Sequence, residues 1–352
     1  MIKPNKQKDL SELFYFSGHP LYFLLKEAGK RDLDIKKALS HADLKDIQEN
    51  NLPLRVPLKK YITLVDYFTE KSADPSFYFL SFFNTIAPEK YDVSAMIVLN
   101  MPNLYSGSKF GVMMTNKIFN FLNFNISIAE NQITNTLYSF APGDRAIQLA
   151  SEMLFINGTQ IINLYTSGRG KALRVEFPYG PVSYKNKLED FFQCPVLFNK
   201  PHAAVYFEAD PRSVNPAAPS QNTLKYLFQR GNSEWNRYCR SGMTGRVRNE
   251  IFKNLRKKTP TLEEAAENLG VHPRVLQKEL QYENTTFREI LGHIRLNRAI
   301  PLIFKTNMPC EEIAKRTGFE NPEAFASFVR RISGKSFAEL RKQRDQAGVM
   351  HF

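Results

Sequence analysis

Cysteine is scarce in this chain of 352 residues: Cys194, Cys239 and Cys310 are its only three, far apart and in no C-x-x-C spacing. That scarcity argues against a disulfide framework and a cysteine-bound zinc site, and it fits a reducing compartment. Long apolar runs are missing too. The longest, FYFLSFF at 77–83 and AMIVL at 95–99, fall well short of the ~20 residues a membrane-spanning helix needs. The start, MIKPNKQKDL, is polar and carries no signal-peptide pattern, so a soluble, cytoplasmic protein with no membrane partner is expected. His19, His41, His202, His272, His293 and His351 are scattered without metal-ligand spacing, and no G-x-S-x-G, phosphate loop or paired-carboxylate signature stands out. No enzyme activity, metal or cofactor is expected.

What the chain has is charge, unevenly placed. The net is +13. Division after Ser220 leaves 24 Lys+Arg against 21 Asp+Glu before it, a net of +3, and 24 against 14 after it, a net of +10. A basic segment joined to a near-neutral one suggests a polyanion-binding module attached to something else. With 43% hydrophobic residues there is ample material for two packed cores, which is also what the length suggests.

Residues 1–12 read as a polar tail. From Leu13 to about Phe83 the pattern is helical, as in PLKKYITLVDYFTEK (57–71), where Leu58, Ile62, Val65 and Phe68 recur at helical spacing with Pro57 suited to the first turn. From 91 to 207 the signal is mixed. An amphipathic helix is predicted over 109–125, two short strands around Glu130-Asn131 in 126–140, strands over 172–179 and 203–210, and a helix over 183–193. The Pro-rich stretch 210–222 reads as a linker, after which the chain is almost wholly helical.

The helical part holds two units of similar plan. In the first, at about 261–282, Thr261 is placed to cap a helix with Leu262, Ala265, Ala266 and Leu269 inward, and Gly270 to end it. Pro273 opens a second helix, with Leu276 and Leu280 inward. That leaves Arg274, Gln277, Lys278 and Gln281 on the opposite face, where Arg and Lys suit guanine and Gln suits adenine in a major groove. In the second unit, at about 309–332, Ile313 and Ala314 point inward, Gly318-Phe319 makes the turn, and Asn321 caps a helix opened by Pro322. Its inward stripe is Ala324, Phe325, Phe328 and Val329; its outer face carries Glu323, Ala326, Ser327 and Arg330, with Arg331 beside it. An amphipathic connector, 287–304, joins the units through Ile290, Leu291, Ile294 and the 302–304 triplet. The basic run 256–258 is a further candidate for phosphate contact.

The segments HPRVLQKEL, RLNRA, IAKRTGF and EAFASFVRRISG occur in that order within 261–341, which therefore resembles the DNA-binding domain of the AraC/XylS family of bacterial regulators. The stretch 194–219, CPVLFNKPHAAVYFEADPRSVNPAAP, is more loosely similar to the close of the arabinose-binding-like domain found in ornithine- and arginine-responsive members. The resemblance implies double-stranded promoter DNA as partner, effector sensing and homodimer formation in the N-terminal domain, and contact with RNA polymerase in activation or repression.

The departures carry expectations of their own. His272 stands where a Ser cap is common and Asn284 where a Gly is. Pro301 inside the connector predicts a kink or a break costing about 3 kcal/mol. Glu323 and Ser327 replace a usual Ser and Arg, and Phe328-Val329 inverts the usual order of sizes, so the first unit is expected to do most base reading and the second to hold the backbone. The expected architecture is an α+β (mixed α/β) sensor domain at 13–209, a linker at 210–222 and an all-α domain at 223–345. In the sensor half Arg145, Arg169, Lys171 and Arg174 are candidates to receive an effector carboxylate. An effector-independent architectural DNA binder is the alternative, marked by little sequence preference and strong salt dependence.

Overall fold

The computed structural model describes residues 14–47, 52–53, 55–83, 93–119, 121–129, 131–214, 222–230, 242–254, 260–282 and 285–345. The expectations placed on residues 1–12, Glu130, the 215–221 stretch of the linker, Cys239, the 256–258 run, Asn284 and His351 lie outside the described residues. Two compact units are present. One is built from Tyr15–Ser139 with Gly143–Asn232, the other mainly from Ser233–Phe352.

The N-terminal unit opens with β1 (Tyr15–Ser17), α1 (His19–Lys30), α2 (Ile35–His41), β2 (Arg55–Pro57), α3 (Leu58–Ser72) and α4 (Phe77–Leu80). It continues with α5 (Val93–Leu99), α6 (Leu104–Ile118), β3 (Leu122–Ala129), β4 (Gln132–Ser139), α7 (Asp144–Thr166), β5 (Lys171–Glu176), α8 (Lys185–Phe192), β6 (Val196–Leu197), β7 (Ala203–Glu208) and α9 (222–230). β1 and β2 form a small antiparallel pair. The main sheet has the order β3-β4-β7-β5-β6, antiparallel throughout except where β5 and β6 run parallel. This is the mixed α/β character that the sequence leads one to expect.

Several details depart from the sequence reading, each for a local reason. The helix expected to fill 109–125 stops at Ile118, and Leu122–Asn125 belong to β3. β3 is an edge strand, and the Asn116 side chain occupies its open backbone groups: Oδ1 accepts from the Phe124 amide and Nδ2 donates to the Phe124 carbonyl, both at 2.7 Å. One residue thus ends the helix region and protects the edge. In α3 the inward residues are Leu58, Tyr61, Leu64, Val65 and Phe68, so Tyr61 takes the place expected for Ile62, and Pro57 is the cap, still in β2, rather than the first helical residue. Residues 222–230, expected to form the linker's last residue and the start of the C-terminal domain, are instead α9 and pack with the N-terminal unit. Leu227 is buried with Ile97 and Met101, and the Phe228 ring meets Phe110 edge-on at 5.5 Å.

The C-terminal unit is all helical: α10 (Gly242–Asn254), α11 (Leu262–Asn268), α12 (Pro273–Tyr282), α13 (Phe287–Lys305), α14 (Cys310–Arg316), α15 (Pro322–Ser333) and α16 (Phe337–Asp345). One core joins Val247 and Ile251 of α10 to Ala265, Ala266, Leu276, Leu280, Ile290 and Ile294. The far half of α13 buries Ile303 and Phe304, and α14, α15 and α16 contribute Ile313, Phe325, Phe328, Val329, Ile332 and Leu340. Among the described residues no helix is long and apolar enough to cross a membrane.

Candidate nucleic-acid interface

The first unit is set by its caps. Thr261 Oγ1 accepts from the Glu264 amide at 3.2 Å while the Glu264 carboxylate accepts from the Thr261 amide at 2.9 Å, a reciprocal pair that satisfies two otherwise orphaned donors. Gly270 ends the turn at φ +68°, a conformation that costs a side-chain-bearing residue more. His272 does the work of the missing serine: its Nδ1 accepts from the Arg274 amide at 3.2 Å, so the imidazole caps α12. Leu276 and Leu280 are buried, and Arg274, Gln277, Lys278 and Gln281 are all exposed on the other side, as the sequence leads one to expect.

Two residues that the sequence reading passed over share that outer face. Val275 is 48% exposed and Tyr282 69%, too much for core residues. Lys278 lies over the Tyr282 ring, Nζ 5.7 Å from its centroid. An exposed valine beside cations and amides offers an apolar contact for a thymine methyl.

The second unit follows the same construction. Gly318 turns at φ +79°, and the Asn321 side chain accepts from the Ala324 amide at 2.7 Å to cap α15. Phe325, Phe328, Val329 and Ile332 form the inner stripe; Ala324, expected inward, is exposed, and Ile332 fills the stripe instead because the stripe tilts around the helix. Glu323, Ser327, Arg330 and Arg331 are exposed. Gly334 ends the helix at φ +71°.

The connector is unbroken. α13 runs from its own capping box at Thr286 and Glu289 through Pro301 to Lys305. Pro301 and Asn297, whose carbonyl loses its helical partner, both face solvent, where water can satisfy that oxygen. The break expected at Pro301 is therefore absent. The C-terminal end of α13 is capped from α16. Arg341 donates to the carbonyls of Leu302, Thr306 and Met308, and Arg344, 6% exposed, donates to that of Thr306. On the other side of α13, Arg295 donates to the Gly318 carbonyl at 2.5 Å, tying the connector to the second turn. Burial holds this guanidinium below its ordinary value, with the Glu320 carboxylate opposing the shift.

A second feature lies in the N-terminal unit. A cavity of about 190 Å³ sits among α1, α5, α6, α7 and the β3–β4 face of the sheet. None of the four cations proposed to receive a carboxylate lines it. Arg145 instead pairs with Asp66 at 2.6 Å, and Arg174 with Glu176 at 3.0 Å while stacking 3.5 Å from the Tyr206 ring centroid. Arg169 donates to the Thr166 carbonyl at 3.1 Å, and Lys171 is exposed on β5. The first two carry nearby carboxylates that already neutralise them.

Residues 33–211, more than half of the chain, match the family of the arabinose-binding domain of AraC transcription regulators, and 265–343 match a helix-turn-helix domain. The chain belongs to the AraC family of transcription regulators. It is 26% identical to the regulator VqsM of Pseudomonas aeruginosa over 159 residues, 45% of this chain and 49% of that protein. It is also 26% identical to the ornithine utilization regulator of the same organism over 175 residues, 48% of this chain and 50% of that one. The transcriptional activator CfaD of Escherichia coli is 30% identical over 103 residues, 29% of this chain and 37% of its own length. The chain thus matches half or less of these relatives' lengths. The AraC family is one of DNA-binding regulators rather than enzymes, and the two matched regions are its DNA-binding and arabinose-binding-like domains.

Proposed function

We propose that this AraC-family chain reads promoter DNA through α12 and α15 and is controlled by a small molecule held in the N-terminal cavity. The carrying observation is the pair of capped helices on one uninterrupted connector, each with its apolar stripe buried and its polar face exposed. Arg274, Gln277, Lys278 and Gln281 carry most base reading, with Val275 adding apolar contact. Glu323 and Ser327 weaken base reading by α15, whose Arg330 and Arg331 hold phosphate.

Effector control is supported by the position of α5 and α6. Val98, Leu99, Gly107 and Gly111 line the cavity, while Ile97 of α5, Phe110 of α6 and Met101 between them seat α9. A ligand that shifts α6 alters the seat of the helix that precedes the DNA-binding unit in the chain. Homodimer formation through the N-terminal unit and contact with RNA polymerase complete the reading, and the match to a transcriptional activator favours activation.

Selection of bound fragments from genomic DNA, with and without small metabolites, tests it. The expected result is a bipartite sequence with two half-sites one helical turn, about 10 base pairs, apart, and a change of affinity with metabolite. Binding without sequence preference and with steep salt dependence overturns it in favour of an architectural role.

A further inference from the structure

We infer that the cavity takes an uncharged, mainly apolar small molecule about the size of a fused aromatic ring pair, which donates one hydrogen bond to Asn135. This rests on the reading of the cavity as the effector site and specifies its chemistry.

Size comes first. A closed cavity of 150 Å³ lined by aliphatic and aromatic side chains holds benzene, so the about 190 Å³ of this partly open pocket has room for a fused ring pair. Charge comes next. Among the described residues no Asp, Glu, Lys or Arg lines the cavity, whose walls are mostly carbon, from Phe23, Leu99, Val112, Phe124, Met153 and Ile162 among others. An amino acid such as ornithine would bring ionised groups into this lining with no counter-charge, at a desolvation cost that binding does not recover. A sugar of the same volume would bring several hydroxyls, each needing a partner.

Of the polar side chains that line the cavity, His19, Ser108, Thr115, Asn135 and Asn157, Asn135 sets the requirement. Asn135 on β4 lines the cavity and is 7% exposed, and its Oδ1 is buried with no hydrogen-bond partner among the described residues. A buried amide oxygen left unsatisfied costs free energy that a ligand N–H or O–H restores. Gly158 of α7 lies directly beside that amide, where a Cβ would sit 3.4 Å from Asn135 Nδ2. Gly111 of α6 leaves further open volume: a Cβ there meets Val98 Cγ2 at an ordinary 3.6 Å, and a longer side chain extends into the cavity.

Titration calorimetry on the full chain tests this with four probes: indole, 1-methylindole, L-ornithine and L-arabinose. Indole is expected to bind one per chain, and 1-methylindole, which lacks the donor, at least about fivefold more weakly. Ornithine and arabinose are expected to give no heat. Gly111→Leu should abolish indole binding while retaining the wild-type circular dichroism spectrum. Asn135→Leu should bind the two indoles equally, which also shows that the variant is folded. Failure of indole to bind, or indole binding unchanged in both variants, overturns the inference. Ornithine or arabinose binding that Gly111→Leu removes overturns the ligand class but leaves the cavity as an effector site. Indole binding as expected without any change in DNA affinity overturns effector control while leaving the ligand chemistry in place.

Discussion

Arg295 and Phe319 form a single clasp: the guanidinium carbon lies 4.2 Å from the ring centroid, and Nη2 reaches past the ring to the carbonyl of Gly318. The clasp joins the middle of the connector helix to the turn of the second unit, and a planar cation suits it because one face stacks while the edge donates. Arg295→Lys keeps the charge and loses the stacking face. Urea unfolding should show a loss of about 1–3 kcal/mol. Footprinting should show protection lost first over the half-site read by α15. Wild-type behaviour in both measurements would overturn this role.

Alanine at Arg274 or Gln277 should relax discrimination at one base pair by about 1–3 kcal/mol, read from binding to a set of operators mutated one position at a time. Alanine at Arg330 or Arg331 should instead weaken binding to all sequences alike and lower the salt slope by about 1 each. Equal weakening on specific and random DNA for the Arg274 and Gln277 variants is the outcome that refutes base reading.

Pro301 is exposed within a continuous helix. Pro301→Ala restores a backbone donor to the Asn297 carbonyl and relieves the ring, so thermal unfolding should show a gain of about 1–3 kcal/mol with DNA affinity unchanged. A loss of stability would mean that the proline's ring packing matters more than the missing hydrogen bond.

Glu152 supplies the pH prediction. It is 1% exposed and accepts hydrogen bonds from the hydroxyls of Tyr184 at 2.7 Å and Tyr179 at 3.0 Å. Burial nonetheless raises its carboxyl above the ordinary 4.5, the tyrosine and Gln148 hydrogen bonds only partly offsetting it. A carboxyl raised in the folded state contributes stability that is full below its unfolded value and lost as pH rises through the folded one. Glu152→Gln keeps an acceptor for the tyrosines without the charge. Its stability relative to wild type should therefore rise as pH increases from the ordinary carboxylate value of 4.5 upward, measured by chemical denaturation. A difference that stays flat or falls over that range contradicts the sign.

The C-terminal unit was legible because its signals are local. Thr261, Gly270, Asn321 and Gly318 act within a few residues of themselves, and two faces separate cleanly on α12 and α15. What escaped was tertiary. α7 is buried along most of its circumference, with Ala146, Ile147, Leu149, Ala150, Met153, Phe155 and Ile156 all inside, so it shows no two-faced period. The end of α6 depends on Asn116 meeting a strand edge, and the placement of α9 with the N-terminal unit on Leu227 finding Ile97. Val275 and Tyr282 are apolar types that give no sequence sign of their exposure, which the packing of α12 sets. The cavity residues come from six separate elements, and only the fold assembles them.

Arg341 and Arg344 direct guanidinium donors into the carbonyl end of α13, and Arg295 does the same at the second turn. Three cations of the basic segment thus serve as internal helix caps. The consequence appears in the ion atmosphere of the duplex. Each phosphate neutralised releases about 0.9 of a condensed counterion, and these three side chains release none. The slope of log affinity against log salt should therefore be shallower than the +10 excess after Ser220 suggests. Such a protein holds more of its DNA affinity as ionic strength rises than its overall charge implies.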